Sequence, residues 1–87
     1  MSSGLFNRAG VRYEVACEIL GAIISHYAEV LGLENSKAIA DPTVVVAAQA
    51  AISEINQLRD GLDPKDSAAI ESLIAEYGPL ARQLNKA

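Results

Sequence analysis

Apolar residues in this chain recur at intervals of three and four, and no segment alternates at two. That spacing lines them up on one side of a helix and excludes half-buried strands. In the first segment Ala16, Leu20, Ile23, Tyr27 and Val30 form the stripe, widened by Ile24 and Leu31. Glu14, Glu18, Ser25 and Glu29 fall on the opposite side. The pattern predicts an amphipathic helix over about 11–31, closed by Gly32. Leu5 and Ala9 stay in phase while Gly10 weakens the run, so residues 1–9 read as an extension of the helix or as a flexible lead.

Two further helices follow from capping signals. Asp41 suits an N-cap and Pro42 the first helical position, where a missing N–H is harmless. The predicted helix covers 42–60, with a stripe of Val44, Ala48, Ala51, Ile55 and Leu58. "VVV" favours a strand by propensity, but it sits between a cap and "AAQAAI", so helical phase wins. Gly61 ends this helix, and "DP" recurs at Asp63 and Pro64. The third stripe is Ile70, Leu73, Tyr77, Leu80 and Leu84. It keeps its phase across Gly78 and Pro79, which predicts one helix over 64–85 with a kink there. A break at Tyr77 with a separate last helix is the alternative. The chain therefore reads as an all-α antiparallel bundle of three main helices, one domain over 1–87, with room for a short extra helix. The tight link at Gly61 and Leu62 predicts that helices two and three are antiparallel neighbours. The longer first connection lets helix one pack across both.

Charge narrows the partners. The net charge is −4 and the pI about 4.8. The seven Lys and Arg are scattered, so there is no basic face to neutralise phosphates, and nucleic-acid binding is not expected. The longest apolar run, "ILGAII", is far below the roughly 20 residues that cross a bilayer, so no membrane association is expected. A single cysteine forms no internal disulfide, and no basic start leads into an apolar signal core. A cytoplasmic protein fits these features.

The chemical candidates are few. Cys17 and His26 are the only cysteine and histidine, nine residues apart. On a helix that spacing is half a turn out of phase with a rise of ~13.5 Å, so they share neither a proton nor a metal. Glu14, Glu18 and Glu29 form an acidic row without histidine or an Asp-rich loop, which reads as a solvated face. "DSAAIESLI" resembles the helix start of acyl carrier proteins, where a serine takes a phosphopantetheine arm; Ser67 would be that serine. Ala68 stands where that family has Leu, and only about twenty residues follow, so Ser67 reads as a polar first-turn residue. No phosphate-loop pattern exists. No catalytic residue, metal or cofactor is expected.

What remains is surface. Cys17, Gly21 and Ala28 form a small-residue track that would let another backbone approach, with the Ala-rich side of helix two a natural match. The apolar stripes are ~140–160° wide, where ~100° suffices for a three-helix monomer. The surplus includes Ile19, Ile24, Val45 and Val46. Apolar excess on a small domain predicts a partner surface, with Cys17, Gly21, Ile24, Ala28, Val45 and Val46 as candidate interaction residues. The expected function is a non-enzymatic interaction module: a small acidic regulator, adaptor, or antitoxin- or immunity-type inhibitor, working as a homodimer or with a protein partner. The competing readings are a structural subunit of a larger assembly, and a helical carrier with a pocket of Tyr27, Tyr77, Ile23 and Leu73.

Overall fold

The computed structural model of the chain describes residues 8–86. They form three α-helices: α1 (Arg8–Asn35), α2 (Pro42–Gly61) and α3 (Ser67–Leu84). No strand occurs among the described residues, and the all-α bundle expected from spacing is what forms. Residues 1–7, in which Leu5 falls, lie outside the described residues.

α1 is the central element. Both α2 and α3 pack against it, whereas α2 and α3 bring no pair of Cα atoms within 8 Å of each other. The expectation that helices two and three are close neighbours is thus corrected. Their short link fixes only their joined ends, and each helix is held by the apolar surface of α1. Arg12 sets the register of α3 by donating twice to Glu71, at 2.8 Å from both Nε and Nη2. A Cβ on Gly78 would lie 3.7 Å from Ile19 Cδ1, which repeats the same offset of 59 residues. α3 therefore runs parallel to α1, with residue n of α1 level with residue n + 59 of α3.

The core is small. Ala16, Leu20 and Ile23 of α1 meet Ile55 of α2 and Ile70, Leu73 and Ala81 of α3. The largest fully buried side chains are Leu20, Ile23 and Ile70. At about 1.5–3 kcal/mol for each large aliphatic side chain, such a core leaves a domain of this size close to marginal. One predicted core position is displaced: Leu80 is 38% exposed, and the buried line in α3 runs through Gly78 and Ala81 instead. The small residues there admit Ile19 of α1, and the stripe turns to follow that approach.

The helix ends differ from prediction in two places. Gly32 does not stop α1, because none of the described glycines takes the positive φ that a left-handed cap requires. The helix runs on to Asn35, which brings Glu34 against the start of α2. Its carboxylate accepts from the Asp41 backbone N–H at 2.8 Å and from Lys37 Nζ at 2.9 Å. At the other link Asp63 and Pro64 form a turn rather than a helix start. Asp63 accepts from Lys65 N at 2.9 Å through its side chain and from Asp66 N at 3.0 Å through its carbonyl. Asp66 then caps α3 by accepting from Ala69 N at 3.0 Å. The first DP pair behaves as expected, with Asp41 accepting from Thr43 N at 2.9 Å. α3 is continuous through Pro79, so the single-helix reading holds.

The bond from Asp41, followed by that from Lys37, holds the Glu34 carboxyl below the usual carboxylate range despite its burial. A folded-state value below the unfolded one adds stability that is present above the ordinary carboxylate range. It is lost as pH falls through the lowered value. Urea melts of Glu34→Gln should therefore show a lower midpoint than the parent chain at neutral pH. That gap should narrow below about pH 4; a gap of constant size at both pH values would contradict the ionic role.

Candidate interaction surfaces

α1 is unbroken from Arg8 to Asn35, so Cys17 and His26 stand on opposite sides as the spacing required. The Cys17 thiol lies beside the Tyr13 hydroxyl, which raises that phenol above its usual value; Arg59 opposes the shift. The His26 ring meets Tyr27 edge to face, with centroids 5.0 Å apart at 86°. Among the described residues no group of three His, Cys, Asp or Glu is placed to hold a metal ion. Ser67 is exposed in the first turn of α3. The pocket expected from Tyr27, Tyr77, Ile23 and Leu73 does not assemble, because Ile23 is fully buried in the core. Leu73 and Tyr77 instead join Leu58 and Leu62 in an open groove where α2 and α3 diverge. Burial there raises the Tyr77 phenol, helped by Glu76 and Glu54.

The small-residue track is not a seam within the chain. A Cβ on Gly21 would meet nothing within 4 Å, so the α2 backbone does not approach it. Cys17 is half-buried and Ala28 is exposed. Ile24 packs on the core from its side. Val45 is half-buried, and Val46 is 62% exposed on the outer face of α2, near Pro42, Ala47 and Ala50.

One groove lies outside these expectations. It runs between α1 and α3, with Val15, Ile19 and Ala22 on one side and Ala75, Gly78 and Pro79 on the other. Glu18 and Arg82 stand at its rim. The sequence held two signals for it. Ile19 through Ile24 are six consecutive nonpolar residues that point in every direction around a helix, and Ala75, Gly78 and Ala81 are small residues at intervals of three.

Comparison with family models, with curated proteins and with solved structures yields no match. The surfaces themselves carry the functional argument. α1 has one further property: over Gly10–Asn35 it is long and apolar enough to cross a membrane by length and composition, with a mean hydropathy of 1.4 in an 18-residue window. Only 17% of that window is buried in the bundle. Glu18 and Glu29 bracket its middle, leaving an uncharged stretch of ten residues, ~15 Å of helix against a hydrocarbon core of ~30 Å.

Replacing Gly21 with Ala should raise the urea midpoint, with a stability gain of up to about 1 kcal/mol, because the helix gains propensity and the added methyl meets no neighbour. A loss of stability would mean that another backbone reaches this position after all.

Proposed function

We propose that this chain is a non-enzymatic protein–protein interaction module: a small acidic regulator or adaptor, of the kind that includes antitoxin- and immunity-type inhibitors. The observation that carries the reading is the mismatch at α1. From Ile19 to Ile24 the helix is apolar on every side, yet it has two helical neighbours, and only 17% of its apolar window is buried. A helix that is apolar all round belongs in an interior. Contiguous apolar surface of this kind marks an interface. The pair of residues that looked most chemical is separated by helical phase, which favours binding over catalysis.

Analytical ultracentrifugation combined with an apolar-surface dye such as anilinonaphthalene sulfonate tests this directly. The expected result is self-association, or a monomer that binds the dye and so keeps its surface for a different protein. A chain that is monomeric at all concentrations and leaves the dye unbound would contradict the proposal.

A further inference from the structure

We infer that the groove between α1 and α3 is a homodimer face, in which α1 of a second copy lies antiparallel to α1, with Glu18 of each copy bound to Arg82 of the other. This rests on the interaction reading above and assigns its surface and occupant. Three observations converge on it. The first is the uncovered side of α1. Val11, Val15, Ile19, Ala22, His26 and Val30 fall within ~100° of one another around the helix, on the flank next to α3. Val11 is 46% exposed, and the other five are half-buried. Beyond them Leu33 is 63% exposed, since the last turn of α3 reaches only the level of Ser25.

The second observation is electrostatic. Glu18 and Arg82 have opposite charge, line the same groove, and make no ion pair within the chain among the described residues. A two-fold interface is self-complementary: where residue i meets j, residue j also meets i. One acid and one base beside an apolar groove meet that condition in two symmetric pairs.

The third is register, and it links the first two. By the offset of 59 residues, Arg82 lies level with Ile23 of α1. A two-fold axis that brings Glu18 level with Arg82 of the second copy must cross α1 between Leu20 and Gly21. The same axis sets Val11 opposite Val30, Val15 opposite His26, and Ile19 opposite Ala22. It also brings Glu29 level with Arg12. Apolar positions of this flank thus meet apolar or ring positions, and Glu18 and Glu29 come level with Arg82 and Arg12. At the centre, Ala22, Ala75 and Gly78 allow close approach of the second α1. The result is a four-helix core of two α1 and two α3 helices, with α2 outside it. A single chain offers its α1 two helical partners; the dimer offers four.

Charge reversal tests the pairing. The variants Glu18→Arg and Arg82→Glu are each purified, checked for unchanged helicity, and followed by sedimentation over a wide concentration range. Each alone places like charges opposite one another twice and should weaken self-association about tenfold or more. Mixed in equal amounts, the two variants place every Arg opposite a Glu. They should form a heterodimer of close to parental affinity. That rescue cannot arise from an effect within one chain.

A homodimer unaffected by either reversal would overturn the assignment while leaving the interaction reading standing. Two weakened variants that fail to rescue each other would overturn the pairing in the same way. A parental chain that stays monomeric but floats with phosphatidylcholine–phosphatidylglycerol vesicles would overturn it in favour of lipid covering α1. A monomer that neither floats nor binds the dye would overturn both readings.

Discussion

The structure depends on one helix being apolar on more sides than its own chain can cover. From Ile19 to Ile24 every side chain of α1 is nonpolar, and at ~100° per residue six such positions encircle the axis. Leu20 and Ile23 use two of those directions to found the core. α2 and α3 are recruited onto α1 separately, each with its own contact, and side chains of both line the groove that opens between them. The architecture is a spine with two attached helices rather than a ring of three equal ones.

That arrangement explains several local features together. With α1 as the spine, the links need only deliver each following helix to it. The first link does so through Glu34, whose carboxylate joins the end of α1 to the cap residue of α2. The second uses the Asp63 turn and the Asp66 cap to reverse the chain, and Arg12 then docks the start of α3. The Arg12–Glu71 pair is too exposed to add much stability, but its two-pronged geometry fixes register. Gly78 and Ala81 complete the fit by letting Ile19 sink into α3, and the groove is the space left beside that contact.

Much of this was legible in the sequence. The three helices, the Asp41 cap, the passage of α3 through Pro79 and most of the core stripe follow from spacing and cap chemistry alone, whereas the cap of α3 is Asp66 and not the Asp63 of the second DP pair. What escaped was three-dimensional in origin. The link length says that α2 and α3 run antiparallel, but not how far apart they lie. Leu80 obeys the heptad and is still exposed, because the close approach at Gly78 turns α3. Gly21 looked like a contact point by residue type, whereas the chain leaves it open. Ile24 and Val46 are equally apolar, yet one packs on the core while the other faces out from α2. The apolar run Ile19–Ile24 and the small residues Ala75, Gly78 and Ala81 are visible in the sequence, but that they line one groove follows only from the parallel register of α1 and α3.

The central claim is that the uncovered flank of α1, and not the outer face of α2, is the surface a second chain occupies. Methyl NMR with a soluble paramagnetic agent reads the two surfaces separately in one sample. On going from dilute to concentrated protein, the methyl groups of Val15 and Ile19 should become shielded from the agent while those of Val46 remain open to it. Shielding of Val46 with Val15 and Ile19 left accessible would contradict the account.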